Sequence, residues 1–99
     1  MLIVREVMYC KPGKVRDLVN KFKAMQPIVQ KLGFKPMRIS TDVVAEQFWM
    51  CILESEIESI DDFSEMEKQL MNNDEIKKGL AGYHDLVERG RREIYRVET

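Results

Sequence analysis

The sequence predicts an α+β fold in which a four-stranded antiparallel sheet is covered on one face by helices. Three observations support this prediction. Apolar, β-branched and aromatic residues cluster in four short runs. Two longer segments repeat apolar residues every three or four positions. The runs and segments follow one another in the order β-α-β-β-α-β, and no linker or internal repeat interrupts the 99 residues, which indicates a single domain over residues 1–99.

The first strand and the first helix occupy the first third of the chain. Residues 2–10 form an apolar run that ends at Lys11-Pro12-Gly13, which is typical of a turn. The amphipathic helix that follows has its apolar face formed by Val15, Leu18, Val19, Phe22, Met25, Val29 and Leu32. Gly33 is expected to end it as a left-handed cap. Pro27 lies inside the helix, so we expect a kink or a local break there, because proline lacks an N–H and crowds the preceding turn.

Residues 34–42 and 47–56 are expected to form a hairpin of two strands. Pro36 near the start of the first of them favours an edge strand or a strand that begins there. A helix then begins at Ser59 as N-cap, with Asp61 and Asp62 in its first turn.

The second helix is expected to be broken in two at residues 72–74, where Asn72-Asn73-Asp74 interrupts the pattern. Its second segment should stop at Gly90, with an inner face formed by Ile76, Leu80, Tyr83 and Val87. Residues 91–97 form the last strand, with Ile94 on one face and Tyr95 and Val97 on the other. This order of elements predicts a ferredoxin-like fold.

The strands carry apolar residues on both faces, although the helices cover only one. Leu2, Val4 and Met8 alternate with Ile3, Val7 and Tyr9 in the first strand. In the third, Trp49, Cys51 and Leu53 alternate with Phe48, Met50 and Ile52. A soluble monomer rarely exposes a large apolar patch, so we expect a homodimer in which the two sheets pair through their faces.

Composition excludes several functional classes. Sixteen basic and seventeen acidic residues give a formal net charge of −1, so we expect neither a nucleic-acid partner nor an anionic membrane surface. The absence of a long apolar run or signal-like start predicts a cytoplasmic protein with reduced thiols. Cys10 and Cys51 could pair only if their strands are neighbours. One histidine and two distant cysteines do not make a metal site, and no metal or other cofactor is expected.

The chain resembles the dimeric α+β barrel superfamily, which includes antibiotic-biosynthesis-monooxygenase-like proteins and NIPSNAP-type domains. The resemblance rests on the run Arg5-Glu6-x-x-Tyr9-x-Lys11-Pro12-Gly13-Lys14, the long helix after it, and the closing strand at residues 92–97. It implies that two ferredoxin-like protomers join their sheets into a barrel. It also implies a small hydrophobic ligand site between each sheet and its helices.

The resemblance does not carry a catalytic mechanism to this chain. The heme-degrading and quinone-forming members commonly use an asparagine on the first strand, a tryptophan after the third strand and a histidine on the next helical segment. Here Arg5 and Glu6 stand where the asparagine is expected, and Trp49 is assigned to the third strand. His84 lies in the appropriate helical region, as a candidate general base or proton donor. Alternatively, it is a histidine at the helix rim without a catalytic role.

The predicted function is a homodimeric small-molecule-binding module with an apolar pocket for a small hydrophobic or aromatic molecule. Whether the chain is also an enzyme stays open at this point. One alternative is a cofactor-independent monooxygenase-like enzyme for an aromatic or quinone-type substrate, with His84 as its catalytic candidate. Another is a structural dimer whose pocket is filled by its own side chains. The expected ligand-binding residues are Tyr9, Met25, Trp49, Met66, Leu80, Tyr83 and His84.

Overall fold

The computed structural model describes residues 1–99, and its element order is the predicted one, with the second helix in pieces. The elements are β1 (Leu2–Cys10), α1 (Val15–Lys31), β2 (Arg38–Thr41), β3 (Met50–Ile57), α2 (Ile60–Met71), α3 (Asp74–Gly79), α4 (Tyr83–Leu86) and β4 (Val87–Arg96). The strands form one antiparallel sheet in the order β2-β3-β1-β4. The predicted ferredoxin-like α+β fold class is therefore confirmed, with an open sheet in the single chain.

The central strand β1 divides its side chains between two environments. Val4 and Met8 point towards the helices: Met8 belongs to the main core between the sheet and α1, and Val4 belongs to a smaller cluster with Met66 of α2. Val7 and Tyr9 point to the opposite face, where they form a small separate cluster with Met50. We call this opposite side the open face, because no helix packs on it.

Side-chain caps define the ends of the helices that follow β3. Ser59 accepts a hydrogen bond from the backbone N–H of Asp62 at 3.1 Å, as its predicted N-cap role requires. Asn73 accepts one from Ile76 at 3.0 Å and begins α3 after the predicted interruption. α3 and α4 together make one bent helix, and Gly82 at its bend has a φ of +83°.

The structure corrects several predicted boundaries. α1 runs through Pro27 without a break, and it ends before Gly33, whose φ of +91° confirms the left-handed cap. β2 begins two residues after Pro36. The second helical segment does not continue to Gly90. That residue lies inside β4 opposite Met8, where a Cβ atom would be only 3.1 Å from the carbonyl oxygen of Val7.

The open face exposes less apolar surface than the sequence predicts. Val7 is 1% exposed and Tyr9 is 5% exposed within the single chain. The guanidinium of Arg89 lies 4.0 Å from the centre of the Tyr9 ring, and the Tyr9 hydroxyl accepts a hydrogen bond from Arg91 and donates one to Glu46. Long charged side chains therefore cover apolar positions that the sequence pattern alone indicates to be bare.

Candidate ligand-binding cavity

A cavity of about 400 Å³ lies between the helix-facing side of the sheet and the surrounding helices. Strands β1, β3 and β4 form its floor, and α1, α2 and the bent helix α3–α4 form its walls. Most of its lining is apolar: Val4, Met8, Phe22, Met25, Met37, Leu53, Phe63, Met66, Leu70, Met71, Ile76, Leu80 and Tyr83. An apolar enclosure of this volume has the size and character of a small-molecule site.

Methionine is the most frequent residue of the lining. Five of the seven methionines in the chain contribute to it: Met8, Met25, Met37, Met66 and Met71. Met37 is held in place through its backbone, because the side chain of Gln26 accepts from its N–H at 3.1 Å and donates to its carbonyl at 2.5 Å. The unbranched methionine side chain adapts to differently shaped neighbours. This lining can therefore adjust to the outline of a ligand.

One side of the cavity is polar and carries an ion cluster formed by Glu6, Arg92 and Glu67. Glu6 and Arg92 face each other across β1 and β4 and are hydrogen-bonded. Glu67 reaches the same guanidinium from α2, at 2.8 Å. Burial opposes the charge on Arg92, but the hydrogen bonds and charges of both carboxylates outweigh it and raise the pKa of Arg92. Arg92 therefore holds a strand and a helix together at the cavity wall.

Tyr83 and His84 enter the lining from the first turn of α4. The left-handed backbone of Gly82 redirects the chain there, so that these two residues follow the bend and reach the cavity. Their rings meet edge to face, with centroids 5.4 Å apart. Burial raises the pKa of the Tyr83 hydroxyl, and the negative charge of Glu6 contributes further. The neutral phenol is the stable form there, and it can donate a hydrogen bond.

Five of the seven predicted ligand-binding residues lie together in this lining. They are Met25, Met66, Leu80, Tyr83 and His84. Their placement agrees with a site between sheet and helices, and their binding of a ligand stays a prediction.

The other two predicted residues, Tyr9 and Trp49, lie elsewhere. Tyr9 points to the same side of β1 as Val7, so it lies on the open face, away from the helices. Trp49 precedes β3, has a left-handed backbone with a φ of +66°, and is 43% exposed. Trp49 lies outside the cavity lining because the chain becomes extended only at Met50, where β3 begins.

Sequence reasoning missed the charged residues of the lining as site residues. The signal was present, because strand alternation places Glu6 on the same face as Val4 and Met8. Across the strands, Glu6 pairs with Arg92 and Arg5 pairs with Glu93, on opposite faces of the sheet. What the sequence does not show is that Glu67 of α2 joins the first pair over a cavity.

The structure shows neither a cluster of metal ligands nor a helix that could span a membrane. No three His, Cys, Asp or Glu side chains stand close enough together to hold a metal ion. None of the helices combines the length and the apolar character needed to cross a membrane.

Comparison with known proteins supports the fold and goes no further. No protein-family model matches the chain, and no curated protein matches its sequence. A NIPSNAP domain protein from Burkholderia xenovorans has a TM-score of 0.84 at 9% identity, over 100% of this chain and 96% of that one. A NIPSNAP family protein of unknown function from Agrobacterium tumefaciens has a TM-score of 0.83 at 16% identity, over 98% of this chain and 87% of that one.

A third similar structure is described as a putative antibiotic biosynthesis monooxygenase, from Deinococcus radiodurans. It has a TM-score of 0.69 at 10% identity and covers 100% of this chain and 94% of that one. The resemblance inferred from the sequence is thus confirmed at the level of the fold.

Proposed function

We propose that this chain is a small-molecule-binding module that holds an apolar or aromatic ligand in the cavity between its sheet and its helices. The module works as a homodimer whose protomers pair through their open faces. The single observation that carries this proposal is the cavity itself. Its volume of about 400 Å³ falls within the range of about 300–1,000 Å³ that is usual for ligand pockets.

The cavity also favours this function over a purely structural dimer. A dimer without a ligand would fill the space between sheet and helices with its own side chains, since protein interiors are close-packed and tolerate few voids. Here the core residues of α1 pack tightly around Leu18 and Val29. The space opens further along the same layer, between α2 and the bent helix. A ligand would complete the packing there.

Pairing of the protomers is supported by the apolar side chains that a single chain leaves exposed beside its open face. The loop at residues 42–49 exposes Val43 and Val44 at 95% and Phe48 at 84%. Glu46 of the same loop interacts with Tyr9 and Arg91, so the loop lies beside the open face. Charges of both signs lie on this face, where Arg5 contacts Glu54 at 3.4 Å and Glu93 at 3.5 Å. A surface with both signs can be self-complementary across a two-fold axis.

Equilibrium dialysis of the purified full chain against 2-naphthol, a fused aromatic probe, tests ligand binding. We expect saturable binding that Leu80→Phe weakens by about tenfold, because the larger ring occupies the cavity. Ile60→Phe is the matched control, since Ile60 is an exposed residue at the start of α2 and does not line the cavity. Thermal unfolding confirms that each variant is folded. Binding that is absent, or equal in the folded Leu80→Phe variant, would contradict the proposal.

The placement of His84 and Tyr83 in the lining favours an oxygen-dependent enzyme acting on an aromatic or quinone-type substrate as the second candidate. A neutral imidazole can accept a proton from a phenolic substrate. Trp49 lies outside the cavity and has no positioning role in this candidate. The same 2-naphthol samples are therefore assayed for oxygen uptake. Uptake that disappears in His84→Ala while dialysis still shows binding would favour the enzyme over the binding module.

A further inference from the structure

The ion cluster of Glu6, Arg92 and Glu67 contains every acidic residue and every arginine or lysine of a lining that is otherwise mostly apolar. Its charges do not cancel. Arg92 supplies one positive charge and is shared by two carboxylates, one hydrogen-bonded through Nε and one 2.8 Å from Nη2. The formal charge of the cluster is therefore −1. No other lysine or arginine lines the cavity to compensate for it.

The Arg92 guanidinium is also partly occupied. Its carbon atom lies 4.9 Å from the centre of the Phe63 ring. Two of its donors already serve the carboxylates of Glu6 and Glu67. A carboxylate ligand could use the three remaining N–H donors of Arg92, but it would lie beside two carboxylates that are already in place and would enter a cavity of net negative charge. The side chains of the cluster are partly solvated, with Glu6 29%, Glu67 42% and Arg92 44% exposed, so solvent weakens the repulsion of a second negative charge but does not remove it.

Hydrogen-bond acceptors remain available on the same wall. A carboxylate has two oxygens and about four acceptor positions, so Glu6 and Glu67 retain capacity after binding Arg92. The Ser55 hydroxyl also borders this part of the cavity. The negative charge of Glu6 extends towards Tyr83, where it contributes to keeping the phenol protonated. The wall is thus suited to a ligand group that donates a hydrogen bond and carries no negative charge.

From this geometry we infer that the cavity selects neutral hydroxylated aromatic ligands and rejects the corresponding carboxylates, because the Glu6–Arg92–Glu67 cluster accepts hydrogen bonds and repels anions. The inference rests on the proposed function, since it assigns a ligand class to the same cavity. A cationic ligand would be attracted by the cluster, but it would lose its hydration among thirteen hydrophobic lining residues. A neutral ligand that donates a hydrogen bond avoids both the repulsion of an anion and the lost hydration of a cation.

The test compares probes that share one ring system and differ in the polar group. Wild-type protein is dialysed against 2-naphthol, 2-naphthoate and 2-naphthylmethylammonium near neutral pH. We expect 2-naphthol to bind at least about tenfold more tightly than either charged probe. Comparable or tighter binding of 2-naphthoate overturns the inference while leaving the proposed function intact, and so does tighter binding of the ammonium probe. If no probe binds, the proposed function itself fails, and the inference fails with it.

A matched pair of variants connects the selectivity to the cluster. Glu67→Gln removes one negative charge from the cavity wall. Glu65→Gln removes the same charge from an exposed position of the same helix, where Glu65 accepts a hydrogen bond from Gln69 at 3.1 Å and does not line the cavity. We expect Glu67→Gln to tighten 2-naphthoate binding about fivefold or more and to weaken 2-naphthol binding, because the neutral amide is a poorer hydrogen-bond acceptor than the carboxylate. Glu65→Gln should leave both unchanged. Equal effects of the two variants on 2-naphthoate would overturn the role of the cluster.

Discussion

Cys51 lies in β3 on the helix-facing side of the sheet, with 0% of its surface exposed. Burial raises the pKa of its thiol to about 12, and neighbouring Cys10 adds to the shift. Their strands are neighbours, but Met8 is the residue opposite Cys51. Cys10 is thus a diagonal neighbour, and such pairs are about 7–8 Å apart, beyond the Cβ separation of about 3.5–4.5 Å that a disulfide needs. Both thiols are accordingly free.

The raised thiol pKa predicts a loss of stability at alkaline pH. The pKa of Cys51 in the folded state lies above its unfolded value of 9.0, so the folded chain holds a proton that the unfolded chain releases. This stabilisation is complete below pH 9 and is lost as the pH rises from 9 towards 12. The slope for one thiol is at most about 1.4 kcal/mol per pH unit.

Urea unfolding as a function of pH measures this effect. Cys51→Ala should be less stable than wild type at neutral pH, because it leaves a small void. Its free energy of unfolding should then fall less steeply above pH 9. Tyr83, which is half-buried, and Cys10, which is buried, keep part of the slope, since desolvation raises their pKa values as well. Parallel pH profiles for wild type and variant would show that Cys51 does not titrate in this way.

At the same scale, the sequence predicts the helical part of the site better than the strand part. Met25 and Met66 follow from helical periodicity, because each lies on the apolar stripe that must face the sheet. Tyr9 does not follow, because both faces of β1 are apolar. Alternation separates Tyr9 from Met8, but it does not indicate which of the two faces the helices cover. Tertiary packing decides this.

Among the elements, the second helical layer departs most from the sequence pattern. The break before α3 is predictable, because Asn73 is a strong N-cap and its side chain does cap Ile76. The bend before α4 is not, because Leu80, Tyr83 and Val87 keep a helical spacing across it. The local signal was Gly82, which adopts the left-handed conformation. From α1, Lys21 supports this bend by donating to the carbonyl of Ala81 at 2.7 Å.

Two glycines of this layer should therefore respond oppositely to alanine. Gly82→Ala should destabilise the fold by about 1 kcal/mol or more, because a Cβ is strained at a φ of +83°. At Gly79 the backbone is helical, and a Cβ would make an ordinary contact with Met25 at 3.7 Å. Gly79→Ala should thus stabilise the fold by about 0.4–1 kcal/mol. Urea unfolding of both variants measures the difference. A shift of the two in the same direction would contradict this assignment of the bend.

At the scale of the whole molecule, the sheet has two chemically different sides. The helix-facing side holds the core and the cavity. The open face holds a small buried cluster around Val7 under a layer of paired charges. The sequence predicts a sheet that is apolar on both sides, and it does not predict this layer, because long arginine and glutamate side chains cover their neighbours only once the strands are in register. The most exposed large apolar side chains lie in the loop at residues 42–49, and Tyr95 of β4 is half exposed on the open face.

That loop places the expected dimer contact at Phe48, so its substitution should weaken self-association. Static light scattering at micromolar concentration should give wild type a mass of twice 11.7 kDa. Burial of a phenylalanine contributes about 1.5–3 kcal/mol, and a two-fold dimer loses this contribution in both protomers, so Phe48→Glu should raise the dimer dissociation constant about a hundredfold or more. Ile60→Glu is the matched control, because Ile60 is exposed on the helical side of the molecule. A wild-type mass of 11.7 kDa would contradict the dimer. Equal masses for the two variants across a dilution series would show that Phe48 does not lie in the contact between protomers.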